Sequence, residues 1–299
     1  MGDVRWTTPA ASGSRLGSVT SEPLPSLATR GPDPAPGSRR ARSEILGMWS
    51  STRMVVLTAM SASLYAAILI PFKVIPIIPG VTELRPANAV PVVCSFLFGP
   101  AAGWGAAIGN LIGDFFGGLG PGDLFGCFAN LLYGLAPYRI WRALGGGSPL
   151  PQGPGSWLRF AASVLGGAAS CALVVGWGLN LLGFIPFTVL GNIVLVNNLA
   201  AAGILAPILL RLLYPRVARA HLLYTDVYPR ERPGRMRAAL GLTLLLAGAL
   251  GGLVAGNLAS AGYWQPAWVT PSQSPTRAAE VGLGLVPFVG AVVAGIALL

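Results

Sequence analysis

Between Leu84 and Gly117 the chain reads LRPANAVPVVCSFLFGPAAGWGAAIGNLIGDFFGG, and this stretch restricts the fold more than any other. Gly105, Gly109, Gly113 and Gly117 recur every fourth residue and so share one helical face. A face without side chains lets a second backbone come close, which is how helices associate in lipid. Asp114 stands near the end of the same apolar span, and Asp123 follows across a Gly-Leu-Gly-Pro-Gly break. Ionisable groups at membrane depth are costly and face a protein interior or a cavity, so each is a functional candidate.

The remainder of the chain has the same character. Its mean hydropathy is +0.65 and 10% of its residues are charged, against roughly 25% in soluble domains. A spanning helix needs about 20 mostly apolar residues. Such segments run over 54–72, 86–98, 101–117, 122–144, 157–184, 187–213, 238–260 and 280–299, the second and third joined tightly through Gly99-Pro100. The fold expected is an all-α integral membrane protein. A net charge of +10 invites a nucleic-acid reading, but the distribution of charge speaks for topology. Of the twenty basic residues, all but Lys73, Arg85 and Arg277 fall in the N-terminal tail, after span four or after span six. The positive-inside rule then gives a cytoplasmic N-terminus and an even number of spans. The implied partner is the lipid bilayer of a bacterial plasma membrane, not nucleic acid.

Four regions follow. Residues 1–52, rich in Pro, Gly, Ser and Arg, lack the apolar content to fold and read as a disordered basic tail. Met48 or Met54 is an alternative start. Residues 53–213 form a six-span membrane domain, 214–237 a polar linker, and 238–299 a two-span hairpin. The last residue, Leu299, falls inside an apolar run, which fits either an interfacial C-terminus or a truncated chain. Cys94, Cys127 and Cys171 are scattered through apolar spans, and the single histidine, His221, lies in the basic linker. No metal site, disulfide framework, cofactor motif or catalytic motif is present, so no enzyme is expected.

Several side chains are candidates for binding. Arg85 begins span two after the proline-stiffened loop FKVIPIIPGVTELRP, which also carries Lys73 and Glu83. These charges either snorkel and pair at the headgroups or form a semi-rigid lid, with Arg85 facing a polar or anionic solute. Asp114 serves as a helix-end group or as a ligand. Asp123 in the first turn of span four suits capping. Trp104 and Trp177 lie deep and either pack or stack on a flat ligand. Asn110, Asn130, Asn197 and Asn198 have interhelical hydrogen bonding as their default use, whereas Asn180 and the Thr188/Asn192 pair stand where a pocket could be lined. In span one, Ala59, Ala62, Ser63 and Ala66 have small-residue spacing that suits a docking helix.

Taken together these residues resemble the substrate-specific S component of energy-coupling factor vitamin transporters over about 53–213. The first helix with Ala62 and Ala66, the proline-rich loop, the arginine opening span two, and FGPAAGWGAAIGNLIGD carry the resemblance. It implies a six-helix binder that captures a vitamin or related micronutrient outside and docks through span one onto a coupling subunit with two ATPases. Carried over by position, the pocket would use Glu83, Arg85, Asp114, Asn180 and Asn192. Members proposed for queuosine precursors or folate have the nearest layout. The C-terminal hairpin departs from the six-span plan and bears on whether the docking face is free. Two other readings stand beside it: a self-sufficient proton-coupled secondary transporter using Asp114, and a membrane assembly protein whose glycine faces only pack.

Overall fold

The first long helix, α1 (Thr52–Phe72), carries no charge after Arg53 and presents alternate faces to lipid and to protein. The computed structural model describes residues 2, 44–72, 76–78, 82–83, 85–228, 233–269 and 276–299. After α1 the chain makes a short antiparallel pairing, β1 (Pro76–Ile78) with β2 (Thr82–Glu83), with Pro76 opposite Glu83. The sequence reading treats this stretch as a proline-stiffened, semi-rigid loop; the β-branched isoleucines and threonine favour the strand pairing. Lys73 and the Glu83 side chain lie outside the described residues.

A 3-10 turn at Pro86–Asn88 leads into α2 (Ala89–Phe98), which reverses at Gly99 into α3 (Pro100–Gly117). Gly99 has φ 56°, and a Cβ there would stand 2.7 Å from the Tyr224 ring, so the turn admits glycine on both counts. There follow α4 (Gly122–Ala143), α5 (Pro154–Leu181), α6 (Phe187–Arg219), α7 (Arg235–Ala261) and α8 (Arg277–Leu298). Five of them, α1 and α5 to α8, are long and apolar enough to cross a membrane, and Pro86–Phe98 is a shorter apolar helix. The expectation of an all-α membrane protein is met. Helices α3 and α4 are the less apolar pair, because α3 carries Asn110 and Asp114 while α4 carries Asp123, Asn130, Arg139 and Arg142.

Packing runs α1 on α3, α3 on α4, α4 on α5 and α5 on α6, with α2 enclosed by α3, α4 and α6. The glycine face does what its spacing suggests. Gly105, Gly109 and Gly113 meet Ser61, Ala62, Tyr65 and Leu69 of α1, and a Cβ on Gly109 would come 2.8 Å from the Ala62 carbonyl oxygen. The hairpin α7–α8 packs chiefly on α5 and more lightly on α6. Two polar contacts fix it there. Asn192 of α6 and Asn257 of α7 exchange amide hydrogen bonds of 2.8 and 3.2 Å, and Trp177 Nε1 of α5 donates to Gly282 O of α8 at 2.9 Å.

One end of the bundle is basic. Arg139 and Arg142, buried at the end of α4, each stand 3.4 Å from Glu44 Oε2. They also reach the last turn of α8, Arg139 donating to Ile296 O and Arg142 to Leu299 O at 2.6 Å. Arg237 of α7 donates to Leu298 O and Ala297 O at 2.9 and 3.3 Å. Three arginines thus satisfy four carbonyls that a helix end leaves open, and their charge opposes the negative pole of its dipole. Residues 44–50, which the sequence reading gives to the tail, lie against this end. Glu44 is 4% exposed and Met48 0%.

Candidate functional site

The opposite end of the bundle holds a cavity of about 490 Å³, within the range of small-molecule sites. Helix length accounts for it. α2 and α3 share the turn at Gly99, but the segment from Pro86 to Phe98 is five residues shorter than α3, so α2 starts roughly 7 Å below the end of α3. The gap above Asn88 is walled by α3, α4, α5 and α6.

The two sides of the cavity differ in chemistry. Val175 and Leu179 of α5, Phe184 and Ile185 of the α5–α6 turn, and Leu190 and Val194 of α6 give an apolar wall. Facing them are Arg85, Asp114, Asp123 and the amides Asn88, Asn110 and Asn130, while Asn197 and Asn198 continue the α6 wall one turn deeper. An apolar wall suits the face of a flat solute, while amides and charges read its edge.

Most of these amides are fixed by a chain of hydrogen bonds. The Tyr65 hydroxyl lies 3.0 Å from Asn88 Oδ1 and 3.1 Å from Asn130 Oδ1, sharing its one proton between them. Asn88 Nδ2 donates to Asn198 Oδ1, and Asn130 Nδ2 to Gly126 O at 2.9 Å. Tyr133 donates to the Asn88 carbonyl at 2.9 Å from beneath. Asn110 Nδ2 donates to Asp114 Oδ2. Asn197 Oδ1 accepts from the Arg85 backbone N–H at 3.4 Å, linking the start of α2 to α6. Asp123 Oδ2 accepts from Gly120 N at 2.6 Å, closing the glycine-rich turn while also lining the cavity.

Of the residues singled out from sequence, Arg85 and Asp114 come together here. Trp104 does not. It lies toward the basic end, donating to Ile45 O at 2.9 Å and meeting Trp49 edge-on at 5.6 Å. Asn180 sits at the end of α5, where Nδ2 donates to Ala278 O at 2.8 Å and Oδ1 accepts from Phe187 N at 3.3 Å. It ties the α5–α6 turn to α8. Asn192 is the partner of Asn257 described above, and Trp177 packs edge-on against Phe125 at 5.6 Å. Small residues of α1 divide between two faces. Ala62 and Ala66 are buried, with Ala62 against Gly105 and Gly109 of α3, while Ala59 and Ser63 are exposed.

Sequence reasoning did not select Tyr65 or Asn88, and left Asn110, Asn130, Asn197 and Asn198 to interhelical bonding. Depth is the signal that joins them. Tyr65, Asn110 and Asn130 each lie roughly two helical turns from the cavity end of their helices, and Asn197 and Asn198 roughly three. Polar residues at one level on several helices are placed to converge. Asn180 and Asn192 lie closer to their helix ends, above that level.

A family model for QueT transporter matches residues 55–215, more than half of the chain and the whole of α1 to α5 save the first residues of α1. The chain belongs to the QueT transporter family. That is a family of S components of energy-coupling factor transporters, for uptake of queuosine precursors, so the protein is a membrane transport protein and not an enzyme. The match takes in every residue lining the cavity and leaves α7 and α8 outside. No curated protein and no solved structure matches the chain.

Proposed function

We propose that this QueT-family chain is the substrate-binding subunit of an importer, holding a queuosine precursor, a 7-deazaguanine base, in the cavity between α2 and α6. The observation that carries this is the two-sided cavity: an apolar wall for a flat ring, opposed by amides, Arg85 and Asp114 for its polar edge. The cavity lies at the end away from the arginine-rich loops, so with the N-terminus cytoplasmic it opens outward. Glu83, in the loop that precedes α2, belongs to the same proposal.

The chain has no nucleotide-binding motif, so a separate coupling subunit with two ATPases supplies the work. The exposed face of α1, with Ala59 and Ser63 between Val56, Met60 and Leu64, is the docking face for that subunit. The hairpin supports the assignment by lying elsewhere, on α5 and α6. Uptake of a labelled 7-deazaguanine base into cells making the full chain tests the reading. Uptake that needs the coupling subunit and ATPases fits it. Uptake by the chain alone, abolished by dissipating the proton gradient, would overturn it in favour of a secondary transporter.

A further inference from the structure

We infer that Asn110 and Asn198 are the specificity-determining residues of the cavity, Asn110 demanding a hydrogen-bond donor from the solute and Asn198 an acceptor. The inference rests on the cavity being the solute site, as proposed above, and adds to it which atoms do the reading.

A side-chain amide has an acceptor oxygen and a donor nitrogen, and each needs a partner when buried. Asn88 and Asn130 use both within the wall. Asn88 accepts from Tyr65 and donates to Asn198, while Asn130 accepts from Tyr65 and donates to Gly126 O. Asn110 and Asn198 use one each. Among the described residues, five buried side-chain polar atoms lack a partner, and two of them are Asn110 Oδ1 and Asn198 Nδ2. Both residues line the cavity and both are 1% exposed. An unmade hydrogen bond in so buried a place is costly, and a solute that completes it removes the cost.

The orientation of the two amides follows from their neighbours. The Asp114 carboxylate oxygen accepts, so Asn110 turns its NH2 toward it and leaves its oxygen over. On the other side the order runs from the Tyr65 hydroxyl, a donor, to Asn88 Oδ1, then from Asn88 Nδ2 to Asn198 Oδ1. That leaves the NH2 of Asn198 beside the Cys171 thiol, a weak acceptor, and without a full partner. Turning Asn110 alone would set its oxygen against the Asp114 carboxylate, and turning Asn198 alone would set its NH2 against that of Asn88. A solute must therefore bring one N–H and one carbonyl or ring-nitrogen acceptor, as a lactam or an aminopyrimidine does. Where a site is built to receive a hydrogen bond, an analogue lacking it is strongly rejected, because the buried protein group stays unpaired.

The test is equilibrium dialysis of the purified full-length protein with 7-deazaguanine and with its 6-methoxy analogue, in which the ring nitrogen has lost its hydrogen. Wild type, Asn110→Leu and Asn198→Asp are compared. Asn198→Asp keeps the shape and the oxygen that Asn88 uses, and replaces the donor NH2 with an anionic carboxylate oxygen. The expected result is that wild type prefers 7-deazaguanine by tenfold or more, that Asn198→Asp loses at least tenfold in affinity, and that Asn110→Leu no longer separates the two bases. This ratio between ligands is a readout that a purely structural role would leave unmoved. Variants that bind and discriminate as wild type does would overturn the inference and leave the transport reading standing. Wild type that binds neither base would overturn both.

Discussion

Glu44→Gln changes one atom and removes the negative charge set between two buried arginines. Glu44 Oε2 lies 3.4 Å from Arg139 and 3.4 Å from Arg142, and the three side chains are 4%, 4% and 9% exposed. At that distance each pair is worth about 5 kcal/mol of Coulomb attraction with an effective dielectric constant of about 20. Desolvation offsets most of this, and deleting one partner of a buried pair typically costs about 3–5 kcal/mol because a bare charge remains. Here the lower part of that range applies. Both arginines keep carbonyl partners in α8, and their guanidinium groups lie 5.7 and 5.8 Å from the Tyr138 ring centre. A loss of about 3 kcal/mol corresponds to a fall in melting temperature of about 5 °C. Thermal unfolding of the full-length protein in detergent measures it, alongside dialysis of a ligand at the far cavity. The expectation is a lowered melting point with affinity unchanged. A melting point within a degree of wild type would refute the account of Glu44 as the counter-charge of this end.

Other perturbations separate packing from function. Ala59→Leu together with Ser63→Leu, on the exposed face of α1, should abolish uptake while leaving solute binding in dialysis intact. Ala62→Leu instead strikes α3 and should lower the melting point, so it reports on folding and not on docking. Gly134→Val would place a Cβ 2.6 Å from Ala102 O; overpacking of this kind costs about 1–3 kcal/mol or more, visible as a lower melting point and reduced yield. A double-mutant cycle on Asn192→Ala and Asn257→Ala should return a coupling of about 0.6 and at most about 1.7 kcal/mol, the range for polar pairs between membrane helices. A coupling of zero would mean that the amide pair does not hold the hairpin.

The helical frame was legible because lipid leaves the backbone few choices. Each apolar run had to become a helix, and the glycines of α3 announced a close neighbour without saying that it was α1. That Arg85 and Asp114 would line a cavity was legible for the same reason, since charge at depth avoids lipid. What the sequence could not supply was the side on which α7 and α8 pack. Asn180 and Asn192 looked like pocket residues only while their partners, Ala278 and Asn257, were unknown. Trp104 looked deep because the segment that covers it, Ile45 to Trp49, had no apolar periodicity to reveal that it folds back. Asn88 was concealed by its place in a turn, where an asparagine ordinarily serves the local backbone. Its role depends on how far α2 falls short of α3, a length difference that the sequence contains but that acquires meaning only when the two helices share a turn.

The arginine cap on α8 has a consequence for how the chain is made. Arg139 and Arg142 enter the membrane with α4, long before α8 is synthesised to receive them. During that interval Glu44 is already present as a counter-charge, and it answers two cations. The last turn of α8 completes the set, bringing carbonyl oxygens to Arg139, Arg142 and Arg237 together. A nascent chain halted after α6 would carry every residue that lines the cavity and still leave this end electrostatically unfinished. The cavity is thus complete within residues 65–198, while the opposite end of the bundle waits on a helix made about eighty residues later.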